Sequence, residues 1–124
     1  IIFLKWYRHP RQYALRELKK TYTESPNIVL LARQISILLK RIALMQYPRT
    51  KVATLSDEKW VHFLMQKTGK TFTEAQLNLL AEATYMPEKD LSFDDPENLY
   101  KAARAAILKL FGDKQNGHKS TKSA

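Results

Sequence analysis

At 124 residues and 44% hydrophobic content, the chain has room for one modest core and is too apolar to be wholly disordered. It has no cysteine, which excludes a disulfide framework, a thiolate nucleophile and a cysteine zinc site, and suits a reducing compartment. The net charge of +9 is regional: residues 1–51 carry eleven Lys or Arg against two acids, whereas residues 52–111 carry seven against nine. Such a basic half either attracts phosphates, on nucleic acid or on an anionic membrane surface, or is simply a solvated face.

The first residues, IIFLKWYRHPR, lack an initiator Met and read as the edge of a longer natural chain. Apolar residues, then aromatic rings, then Lys and Arg is the order in which a helix leaves a bilayer on its cytoplasmic side. Lys5, Trp6, Tyr7, Arg8 and Arg11 are therefore candidate membrane-surface residues. The apolar part is far shorter than the roughly 20 residues a span requires. The competing reading buries Ile2, Phe3 and Trp6 in their own domain. A cleaved signal peptide fits less well, because the basic residues follow the apolar ones.

Five helices are predicted after this edge, and three Gly among 124 residues argue against a turn-rich β fold. Helix one runs from Pro10 to about Tyr22 with a stripe of Ala14, Leu15, Leu18 and Tyr22. Ser25-Pro26 starts helix two, which extends to Gln46. Its first seam is Ile28, Leu31, Ile35, Leu38, Ile42 and Met45, and its second is Leu30, Ile37 and Leu44. Two apolar seams predict a central helix, with Arg33, Lys40 and Arg41 left for a wet strip. Pro48 lacks an amide donor and ends the helix near Tyr47.

Val52 and Leu55 then pin the connector to the core, and Ser56 caps helix three, Asp57 to Lys67, whose inward face is Trp60, Phe63 and Leu64. KTGKT is read as a turn, since it lacks the upstream Gly and the strand of a phosphate loop. Thr73 and Gln76 form a capping-box pattern for helix four, which buries Leu77, Leu80 and Ala81 and ends near Ala83. Helix five begins at Asp95-Pro96, faces inward with Leu99, Ala103, Ala106, Ile107 and Leu110, and stops at Gly112. The predicted organisation is the end of a membrane-spanning segment with its juxtamembrane edge at 1–9, an all-α helical bundle at 10–112 and a disordered C-terminal tail at 113–124.

These placements bring no catalytic constellation together. His9, His62 and His118 lie in separate segments without a second His at metal spacing, so no metal site and no cofactor is predicted. EKDLSFDDPEN lacks the glycine and the ordered acidic spacing of an EF-hand loop, and capping by Asp95 accounts for it better than calcium does. No Ser sits in a nucleophile-elbow pattern, so the chain does not read as an enzyme. Helices three and four could form a helix-turn-helix. The second of them, TEAQLNLLAEA, exposes Glu74 and Glu82 with no Lys or Arg, which is unfavourable beside phosphates and makes nucleic acid the less favoured partner.

The segment LLARQISILLKRIALMQYPRTKVATLSDEKWVHFL, with LLAEATYMP downstream, resembles a family of uncharacterised bacterial inner-membrane proteins encoded beside MoxR-type AAA ATPases and von Willebrand factor A domain proteins. The resemblance spans about residues 14 to 110. It rests on the run Arg41, Ala43, Leu44, on Tyr47-Pro48-Arg49, Val52-Ala53, Leu55, Trp60, Phe63-Leu64, and on Tyr85 with Pro87. Asp57 stands where the family has Gly, and Met65 where an acid is common. The resemblance implies a single span followed by a cytoplasmic helical domain, an accessory of a chaperone-like ATPase system, with those two protein types as partners and no catalytic residues to carry over.

Tyr47-Pro48-Arg49 is read mainly as a corner, with Tyr47 packing on Pro48. Arg41, Tyr47, Arg49 and Lys51 together form a candidate binding patch for an acidic protein partner.

Overall fold

The computed structural model describes residues 8–55, 57–88 and 95–123, with side chains left aside at 57 and 113–123. Within them lie six helices: α1 (Pro10–Glu24), α2 (Ile28–Gln46), α3 (Arg49–Val52), α4 (Asp57–Thr68), α5 (Glu74–Glu82) and α6 (Pro96–Ser123). The protein is an all-α bundle, and no strand occurs among the described residues.

The additional helix, α3, is a single turn directly after the expected corner. Pro48 holds φ −56° at its cap, already suited to a helical start, and Val52 is fully buried at its far end. Helix two begins later than Ser25-Pro26 predicts. Asn27 is the cap, and its side chain accepts a hydrogen bond from the Leu30 amide at 2.9 Å. Asn is among the best caps because its short amide reaches the third helical N–H.

The other predicted punctuation is present. Thr73 and Gln76 form a reciprocal capping box, with the Thr73 amide donating to Gln76 Oε1 at 3.0 Å and the Gln76 amide donating to Thr73 Oγ1 at 3.1 Å. Asp95 Oδ1 accepts from the Asn98 amide at 2.8 Å and caps α6. The Ser56 cap falls outside the described residues.

Gly69 ends α4 at φ +69°, a left-handed conformation that costs an L side chain about 1 to 2 kcal/mol. Its amide donates to the Met65 carbonyl at 2.9 Å. Gly69→Ala is therefore expected to lower stability by about 1 kcal/mol, read as a shifted urea midpoint at constant slope. The space around a new methyl group is adequate, the nearest atom being Lys109 Nζ at 3.6 Å, so backbone strain alone sets the size of the effect.

Helix α2 packs against α1, α3, α5 and α6 and is central, as two apolar seams require. Ile28, Leu31, Ile35, Leu39 and Ile42 are at most 1% exposed. Each such side chain contributes about 1.5 to 3 kcal/mol by leaving water. Ala14 and Leu18 of α1 and Leu99, Ala103, Ile107 and Leu110 of α6 complete this core. Tyr22 stacks on Tyr100 across the α1–α6 seam with ring centroids 4.6 Å apart.

The second seam of α2, and Met45 at the end of the first, depart from expectation. Ile37 is 51% exposed and Met45 39% exposed, while Leu30 and Leu44 are half-buried. The neighbouring helices cover the first seam as far as Ile42, and none is placed to cover Met45 or the second seam completely. At the other end of the chain, α6 continues to Ser123, beyond the stop expected at Gly112. A helical Gly costs about 1 kcal/mol relative to Ala but does not by itself break a helix. The apolar stripe that packs on the core ends with Leu110 and Phe111. Among the described residues, no helix is long and apolar enough to cross a membrane.

Candidate functional site

One side of α2 is left incompletely covered by the neighbouring helices. At about 100° per residue, Leu30, Gln34, Ile37, Arg41, Leu44 and Met45 fall within an arc of roughly 100°, opposite the buried Ile28, Ile35 and Leu39. Beside this arc lies an open groove of about 160 Å³ whose walls include Ile37, Lys40, Trp60, Leu80, Thr84 and Tyr85. Tyr85 is 73% exposed, the most exposed large hydrophobic side chain among the described residues.

The floor of the groove is rigidly built. Trp60 is 4% exposed and donates from Nε1 to Ser36 Oγ at 3.0 Å, which satisfies the indole N–H that burial would otherwise penalise. Lys40 stands 5.9 Å from the Trp60 ring centroid and donates from Nζ to the Leu55 carbonyl at 2.6 Å. One lysine thus ties the α3–α4 connector to the central helix and places its charge over an aromatic face.

The segment after α5 is held by Arg33. Its Nε donates to the Ala83 carbonyl at 3.0 Å and its Nη2 to the Met86 carbonyl at 2.8 Å. Glu88 lies 3.6 Å from Nη1 and also accepts from Asn27 Nδ2 at 3.3 Å. Tyr85 sits between the two clasped carbonyls, so Arg33 fixes the backbone that presents it. Sequence placed Arg33, Lys40 and Arg41 together on a wet strip. Of these, Arg41 is exposed, whereas Arg33 and Lys40 are half-buried and bound to carbonyls.

The candidate binding patch at the corner is divided by burial. Arg41, Arg49 and Lys51 are exposed, Arg49 and Lys51 on the single turn of α3. Tyr47 is half-buried and meets Phe63 edge-on at 5.4 Å, and Lys67 Nζ lies 4.9 Å from its ring centroid. Its ring therefore braces α2 against α4. Of the candidate membrane-surface residues, Arg8 and Arg11 are exposed, and Lys5, Trp6 and Tyr7 lie outside the described residues.

Among the described residues no three His, Asp or Glu side chains converge on a point that could hold a metal ion. His9 and His62 are both exposed. The solvent side of α5 carries Glu74, Asn78 and Glu82.

The family model for a domain of unknown function, DUF4381, matches residues 1–109. The chain belongs to the DUF4381 family. The match takes in all of α1 to α5 and α6 as far as residue 109, so the groove and the α2 seam both lie inside the DUF4381 domain. No curated protein and no solved structure matches the chain.

Ile37, Met45 and Tyr85 are the site residues that sequence reasoning missed. For Ile37 and Met45 the signal was present in the excess of apolar positions on helix two over what four neighbouring helices can cover; Tyr85, after α5, had no such signal.

Proposed function

We propose that this DUF4381 domain is a non-catalytic protein-binding module, tethered at the cytoplasmic face of a bacterial inner membrane, whose docking surface is the uncovered seam of α2. The observation that carries this reading is the exposure of Ile37 and Met45 on the central helix, on either side of the exposed Arg41. Arg41, Arg49 and Lys51 give this apolar strip a cationic end. The occupant that complements it is an amphipathic helix of a protein partner with acidic residues at one end, laid along the seam with an apolar side chain against Tyr85.

The resemblance of the α2–α4 sequence supplies the partner class: a MoxR-type AAA ATPase or a von Willebrand factor A domain protein, with the DUF4381 domain as an accessory of that chaperone-like system. The tether rests on the order of residues in IIFLKWYR. Nucleic acid is the poorer ligand, because the α5 surface that a helix-turn-helix would present carries Glu74 and Glu82.

Capture of the two candidate partners by the membrane-anchored protein tests the proposal. Ile37→Asp, in the centre of the seam, is expected to weaken capture by roughly 30-fold, the loss typical of an interface anchor worth about 2 kcal/mol. Charge reversal of Arg49 and Lys51 is expected to slow association and weaken capture while the melting temperature stays unchanged. Unfolding of the double variant would make the corner structural, and undiminished capture by Ile37→Asp would place the interface elsewhere.

A further inference from the structure

We propose that the outward face of α1 is a docking surface for an anionic lipid bilayer, so that this helix lies along the membrane instead of merely following a tether. The inference deepens the membrane part of the reading above and is independent of the α2 seam. On α1 the buried Ala14 and Leu18 define the inward direction. Directly opposite, within an arc of about 100° at the helical repeat, lie Gln12, Arg16, Lys19, Lys20 and Thr23, all exposed. That arc holds three cations and no acid. Glu17 and Glu24, the acids of α1, fall outside it.

Arg8 and Arg11 extend the same positive charge at the N-terminal end and are also exposed. None of these five cations forms an ion pair with another described residue, whereas Lys101 is paired with Glu97 and Arg33 with Glu88. Unneutralised charge concentrated on one helix face creates a local field that draws in a polyanion.

The nature of that polyanion follows from what precedes α1 in sequence. Ile1 to Leu4, Trp6 and Tyr7 are apolar and aromatic side chains of the kind that partition into the headgroup region of a bilayer, and they have no partner on a phosphodiester backbone. The apolar face of α1 is already spent on the core, so the helix cannot sink into the lipid as a free amphipathic helix does. Attachment through this face is therefore electrostatic, reversible and sensitive to salt.

The test uses the full 124-residue chain and vesicles of phosphatidylcholine with or without phosphatidylglycerol. The chain is expected to co-sediment with the phosphatidylglycerol vesicles at about 0.1 M salt and to be released at about 1 M, where screening acts over roughly 3 Å. The triple variant Arg16→Gln, Lys19→Gln, Lys20→Gln removes outward charges and retains good helix formers, so it should melt at the same temperature. Its affinity for anionic vesicles is expected to fall about 100-fold, at about fivefold per charge. Wild-type affinity in this variant would overturn the proposal, as would failure of the wild-type chain to prefer phosphatidylglycerol vesicles. Tighter binding to duplex DNA than to those vesicles at equal phosphate would instead assign the face to nucleic acid. Ile37→Asp should bind vesicles as the wild type does, so this experiment and partner capture fail separately.

Discussion

Replacing Trp60 with alanine is expected to lower the stability of the domain by about 3 to 5 kcal/mol. The indole is 4% exposed, stacks on Phe63 with centroids 6.0 Å apart and 17° between planes, and is the hydrogen-bond partner of Ser36. Truncation removes a large apolar surface from the core, leaves the Ser36 hydroxyl facing a void and deprives Lys40 of the ring beneath its ammonium. The three losses act on a single joint, where α4 meets the central helix. In a chain of this size the melting temperature should fall by roughly 10 to 20 °C in calorimetry. An unchanged transition would remove Trp60 from the core and with it the floor of the groove.

Arg33→Ala is expected to cost about 2 to 3 kcal/mol, because two part-buried carbonyls, those of Ala83 and Met86, lose a charged donor. The pair with Glu88 adds little, since that carboxylate is 47% exposed and well screened. A guanidinium can reach both carbonyls at once through its planar fork, and an ammonium cannot, so Arg33→Lys should recover only a small part of the loss. Amide hydrogen exchange at Tyr85 and Met86, whose amides donate to the Glu82 carbonyl, would show the effect locally, with protection lost there before it is lost in α2. Full rescue by lysine would mean that charge alone matters at this position. With the clasp gone, Tyr85 loses its fixed place on the groove, so the variant should also weaken partner capture.

How far the fold was legible depended on whether a local signal was sufficient. The capping box at Thr73, the stop at Pro48, the Asp95 cap and the inward face of α6 are written in a few adjacent residues, and each is present. Ile37 and Met45 were assigned to the interior because periodicity reports that a face is apolar and says nothing about how many neighbours arrive to cover it. Arg33 and Lys40 read as solvent-facing for a related reason. Their partners are backbone carbonyls 15 to 53 residues away, and a carbonyl carries no residue-type signature. The cationic corner was visible as charge, yet the division of labour between a bracing Tyr47 and the outward Arg49 and Lys51 became visible only once α4 was placed beside it.

The packing of α1 and α2 against α6 also sets the order in which the molecule can be made. Gln46 at the end of α2 donates to the Leu110 carbonyl, 64 residues later. At a synthesis rate of 5 to 20 residues per second, that separation corresponds to roughly 3 to 13 s on the ribosome. Throughout that interval the broad apolar side of α2 lacks its last covering helix, and the loop to be closed is among the longest the fold contains. The nascent chain therefore passes through a sticky, unfinished state, and completion waits for α6 to emerge and zip along the first two helices.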